Sequence, residues 1–179
     1  MIIESKQQII VLREQMKENF LRSVNQVKEM INKNNEEDLL LSIKIDKTVC
    51  DPITGQPSNF VEMINQYYSN MVIAIAAEKI LEMFPGQCLQ LNTGTKTGFD
   101  IASLDNTVVC ECFSVVKATN NQKVKKDSEK LLKTNSKHRF LFFYSREDTT
   151  TSIERITKKY PKIQYYRVMD FNSSTVIEI

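Results

Sequence analysis

A chain of 179 residues, 41% hydrophobic and 26% charged, with a formal charge of +2, is most simply one globular domain with a sizeable core. Four glycines and four prolines leave little material for linkers, low-complexity tracts or a repeat array. The single histidine, His138, excludes a multi-histidine metal site, and a Ser-His-Asp triad would have to rest on it alone.

Met1 to Phe20 carries charges throughout, so no signal peptide is expected, and the most apolar run, MVIAIAA, is far too short to span a bilayer. A cytoplasmic location follows as the expectation. The cysteines Cys50, Cys88, Cys110 and Cys112 then read as small buried hydrophobes rather than disulfides or zinc ligands. Neither GxxxxGK(S/T) nor GxGxxG occurs, so a glycine loop cradling phosphate has no support.

Ile9, Leu12, Met16, Phe20, Val24, Val27 and Ile31 recur at steps of three or four, which predicts a long amphipathic helix from about Ser5 to Asn32, ended by NKNNEED. Such a helix packs either on its own domain or against a second copy of itself. CDPITGQP is a turn-rich loop that closes an N-terminal part, residues 1–57. Ser58 or Asn59 can cap a second helix, from about Phe60 to Phe84, stopped by Pro85-Gly86. Apolar residues surround most of it, so it should be the buried central helix, with Glu78 its conspicuous charge.

Three short strands follow, in CLQLN, FDIASL and TVVCECFSVV, and then a basic helix from about Asn121 to Lys133. RFLFFYS reads as a sheet-centre strand, TTSIERITKKY as a further helix and IQYYRVMDF as a last strand. The order predicts an α/β fold: a mixed central sheet flanked by helices, its later strands joined by helical crossovers, with the long helix at the N-terminus. His138 is expected to be a surface or strand-edge residue.

Charge is distributed unevenly. Between Lys117 and Arg139 eight basic residues face only Asp127 and Glu129, an excess of six over 23 residues. Lys117, Lys125, Lys126, Lys130 and Arg139, with Asn121, are the candidate nucleic-acid contacts. The competing reading is a solvated helix face.

Two carboxylates stand out. If Asp105-Asn106 turns a hairpin, Ile101 faces Cys110, Ala102 faces Val109, and Asp100 faces Glu111 on one side of the sheet. Two such charges in apolar surroundings need a shared proton or a cation, and oxygen ligands suit Mg²⁺. The alternative is a hydrated pair at a hairpin edge.

An Asp at a strand start, a hairpin, an acidic residue in the next strand and a helical crossover resemble the PD-(D/E)XK nuclease superfamily, which includes restriction endonucleases and DNA repair nucleases. The resemblance spans Glu78 to about Arg167 and makes residues 58–179 a restriction endonuclease-like core. It implies that Asp100 and Glu111 bind Mg²⁺, or Mn²⁺ in its place, that the Cys112 carbonyl joins them, and that Glu78 from the preceding helix contributes. Gly98-Phe99-Asp100 replaces the PD element, and Phe113 stands where the family has its catalytic lysine. In some members that function migrates to the following helix, where Lys123, Asp127 and Lys130 share one face; Lys123 is the first choice, with Lys126 and Lys117 behind it.

A Mg²⁺-dependent DNA endonuclease is therefore expected, type II restriction-like and homodimeric, with Asp100, Glu111 and Lys123 catalytic. The alternatives are a nucleic-acid-binding module that has lost catalysis, or a nuclease acting on RNA or on branched DNA in repair. NTGTKTG, Asn92 to Gly98, is the candidate base-contacting loop.

Overall fold

The computed structural model describes residues 1–33, 36–93, 97–118, 122–147 and 150–179. The chain divides into two compact units, residues 7–70 and residues 1–6 with 71–179. Among the described residues no helix is long and apolar enough to cross a membrane.

In the smaller unit, α1 (Lys6–Lys33) buries Ile9, Leu12, Met16 and Val27. Between Met16 and Val27 the same stripe is continued by two buried polar residues, Asn19 and Ser23, rather than by Phe20 and Val24. The cause is a hairpin, β2 (Val49–Cys50) with β3 (Pro57–Ser58), whose loop needs hydrogen-bond partners. Asn19 Nδ2 donates to the Pro52 carbonyl at 3.0 Å, and the Cys50 N–H donates to Ser23 Oγ at 3.1 Å. Asp51 Oδ1 accepts from the Ile53 and Thr54 amides, the local bond that favours Asp in turns, and Gly55 completes the loop at φ +68. A further helix, α2 (Glu36–Ile45), begins within the segment NKNNEED that was expected to end α1.

Helix α3 (Phe60–Met83) starts on Asn59, whose Oδ1 accepts the Glu62 amide at 2.9 Å. Met71 to Ala77 are all buried, as expected for a helix apolar on every side. Pro85 and Gly86, the latter at φ +86, prevent its continuation.

The larger unit is built on a seven-stranded mixed sheet in the order β1-β4-β5-β6-β7-β8-β9. Its strands are β1 (Ile2–Ile3), β4 (Leu89–Leu91), β5 (Ile101–Ser103), β6 (Val108–Val115), β7 (His138–Ser145), β8 (Gln164–Asp170) and β9 (Thr175–Glu178). β6, β7 and β8 run parallel through the crossover helices α4 (Lys123–Leu132) and α5 (Thr150–Thr157), and the other pairs are antiparallel. β1 and β9 are edge strands that were not expected.

The central strands are apolar on both parities because both faces are covered. Val109 and Phe113 of β6, Leu141 and Phe143 of β7, and Tyr165 of β8 pack with Val124 and Leu131 of α4 and Ile153 of α5. The other parity carries Phe140 and Phe142. There Phe140 meets Phe84, just beyond α3, at 6.0 Å between centroids, and Phe142 stacks on Tyr166 at 4.6 Å. Cys50, Cys110 and Cys112 are buried free thiols, and Cys88 is half-buried and free. His138 lies exposed at the start of β7, tilted against Phe84.

Candidate functional site

The β5–β6 hairpin has the register that the sequence predicts, Ile101 opposite Cys110 and Ala102 opposite Val109. Ala102 and Val109 face α4, and alternation carries Asp100 and Glu111 to that same face. Asp100 stands one residue before β5, outside the ladder. Its position is set by contacts with Asn92: the Asn92 amide donates to the Asp100 carbonyl at 2.9 Å, and Asn92 Nδ2 donates to the Phe99 carbonyl at 2.6 Å. Gly98 stands at φ +120, where a side chain would also press within 3.1 Å of Asn92.

Freed from the ladder, Asp100 reaches past Glu111. Its Oδ2 accepts the Cys112 N–H at 2.7 Å. In an extended strand one residue's N–H and C=O point to the same side, so the Cys112 carbonyl faces the same edge as Asp100.

Glu111 is 3% exposed, in the middle of β6 between Val109 and Phe113. Lys130 of α4 pairs with it, Nζ lying 2.6 Å from Oε1, although that oxygen has no donor in line for a hydrogen bond. The same ammonium donates to the Gly98 carbonyl and lies 5.2 Å from the Phe99 ring centroid. One turn earlier on the helix, Asp127 is buried and pairs with Lys123 at 3.0 Å. Lys123 Nζ also sits 5.6 Å from the centroid of Phe113, whose own ring is buried and stacked on Phe143.

Burial shifts all three carboxyls upward. It raises Asp100 from its ordinary value despite the Cys112 N–H and the two lysines. It raises Glu111 to about 7 against the pull of Lys130, the charge of Asp100 adding to the rise. It raises Asp127 although Lys123 opposes it. Three carboxyls shifted the same way, with two ammoniums beside them, form the kind of cluster where function concentrates.

The helix therefore brings Lys123, Asp127 and Lys130 to Asp100 and Glu111. Asp127 was legible only as a member of that helix face, and Lys130, expected as a phosphate contact, belongs to the cluster. Glu78 is placed elsewhere. It lines a cavity of about 170 Å³ with Lys79, Glu82, Ser173 and Ser174, at the β8–β9 turn. Arg139 caps the end of α4, donating to the Leu131 carbonyl at 3.1 Å and the Thr134 carbonyl at 2.7 Å. Lys117, Lys125 and Lys126 are exposed, Lys125 lying 4.0 Å from Glu129. Asn120, Asn121 and the middle of the candidate base-contacting loop, residues 94–96, lie outside the described residues.

Among the described residues no three His, Cys, Asp or Glu side chains converge closely enough to hold a metal ion. The donor set still suits a hard cation that keeps most of its waters. Such an ion needs one or two carboxylates, and Asp100, Glu111 and the Cys112 carbonyl are all oxygen donors. The buried Glu111 Oε1, without an aligned donor, is the oxygen such a cation would satisfy.

No protein-family model, curated protein or solved structure matches this chain.

Proposed function

We propose that the chain is a Mg²⁺-dependent endonuclease of the PD-(D/E)XK type that hydrolyses phosphodiester bonds in DNA, with Asp100 and Glu111 as metal ligands. The observation that carries this reading is the pair itself. A buried carboxyl, Glu111, and a half-buried one, Asp100, share one face of a hairpin, Asp100 held by the backbone of the strand that bears Glu111, and they face the helix of a parallel crossover. That order of elements is the one the resemblance implies for a restriction endonuclease-like core.

Mg²⁺ at Asp100, Glu111 and the Cys112 carbonyl would supply a bound water of lowered pKa and polarise the scissile phosphate. The protein's own residues do the rest. Asp100 is fixed by the Cys112 amide, so it presents its second oxygen without reorganising. Lys123 brings a positive charge over Phe113, the position from which the family's lysine acts, and Asp127 holds it there. Its ammonium would orient the attacking water or stabilise charge developing on the phosphate oxygens. The exposed Lys117, Lys125 and Lys126 would add phosphate contacts indifferent to sequence. A type II restriction-like role with a two-fold dimer matches cleavage of both strands.

A second reading has one observation in its favour. Phe113 is buried and stacked on Phe143, so the strand itself offers no lysine, as in a binding module that has lost catalysis. Digestion of plasmid and phage DNA with Mg²⁺, with Mn²⁺ and with EDTA separates the two. The nuclease gives cleavage that EDTA removes, discrete bands marking a restriction role and a smear a non-specific one. A binding module retards DNA in a gel without cutting it, with or without metal.

A further inference from the structure

Lys130 already occupies the place beside Glu111 where a cation would bind. Its ammonium meets negative potential from three sides: the Glu111 carboxylate, the Gly98 carbonyl and the face of Phe99. It is not buried there. The side chain is 43% exposed, so its flexible stem can swing outward while Val124 and Leu131 keep α4 packed on the sheet. Lys123 is paired with a different carboxylate, Asp127.

We propose that the Lys130 ammonium is the resident counter-ion of this site, and that it and a divalent cation are alternative occupants beside Glu111. The proposal rests on the metal reading above. Its electrostatic basis is simple: three carboxyls face two ammoniums, and a dication entering beside Lys130 would set like charges against each other at a carboxylate that is itself buried. Moving Lys130 out removes that repulsion. Once released, the lysine would stand at the rim of the site, where a phosphate arrives.

Titration calorimetry of the full chain with Mg²⁺ and Mn²⁺ at fixed pH and ionic strength tests this directly. Lys130→Gln keeps a polar stem and removes the competing charge, so it should bind metal roughly tenfold tighter or more than the wild type. Lys130→Arg should stay near the wild type, and Glu111→Gln should lose binding. Equal or weaker affinity in Lys130→Gln, with Glu111→Gln still unable to bind, overturns the displacement and leaves the metal reading intact. Absence of binding in every protein, each folded by circular dichroism, overturns the metal reading and the displacement with it.

Discussion

Lys123 holds its ammonium 5.6 Å from the ring centroid of Phe113, so a charge that β6 does not carry at position 113 is brought there by the following helix. Asp127, one turn along and buried, fixes the lysine at 3.0 Å. Lys123→Ala should lower Mg²⁺-dependent cleavage by about 10²–10³, the usual effect of removing one group that stabilises developing charge. Metal binding by calorimetry should be largely kept. A variant that cuts at the wild-type rate would place the lysine function elsewhere, with Lys130 next.

Glu111 makes the stability of the metal-free protein depend on pH. Its folded-state carboxyl titrates at about 7, against an ordinary value of 4.5. Between those values the unfolded chain has released a proton that the folded chain still holds, so stability falls as pH rises through that interval. Asp100 and Asp127 are shifted in the same direction and deepen the fall, while Lys130 and Lys123 oppose it. Glu111→Gln should flatten the profile. Urea unfolding at pH 5 and pH 8 would measure it, and parallel profiles for the two proteins would refute the assignment.

The sheet centre makes a separate demand. Phe142 is fully buried, stacked on Tyr166 on the face opposite the carboxylates. Phe142→Ala should destabilise the protein by about 3–5 kcal/mol, measured by denaturant unfolding. A loss below 1 kcal/mol would mean that β7 is not central.

A hydrogen bond beneath α4 gives a smaller effect. Ser128 Oγ and the Tyr165 hydroxyl lie 2.9 Å apart in the core, and burial pushes the phenol up to about 12. Ser128→Ala strands the phenol without its partner, which should cost about 1–3 kcal/mol of stability. Tyr165→Phe in the same background should recover part of that loss.

Much of this architecture is legible in the sequence because long elements declare their period. α1 and α3 end within a residue or two of where their patterns stop, and the unbroken apolar run of β7 marks the sheet centre. The hairpin register follows from counting outward from Asp105-Asn106. Elements of two residues, such as β1, β2 and β3, have no period to read, and β9 is a short edge strand with little buried. Helix α2 was missed because Leu40 and Leu41 are exposed, so its apolar residues do not mark a buried face.

Legibility of the site divides in the same way. Alternation along two paired strands puts Asp100 and Glu111 together. The i, i+4, i+7 spacing says that Lys123, Asp127 and Lys130 share a face, but not how the helix is rotated or which lysine meets which carboxylate. The rotation of α3 is equally hidden, which is why Glu78 lines the cavity by the β8–β9 turn instead of joining the pair.

The catalytic role of Asp100 and Glu111 is tested most directly by supercoiled-plasmid cleavage in Mg²⁺ by the wild type, Asp100→Ala and Glu111→Ala, each folded by circular dichroism. A metal site on this pair gives cleavage by the wild type that EDTA abolishes, and none by either variant. An Asp100→Ala or Glu111→Ala protein that still cuts, or a wild type that cuts equally well in EDTA, would contradict it.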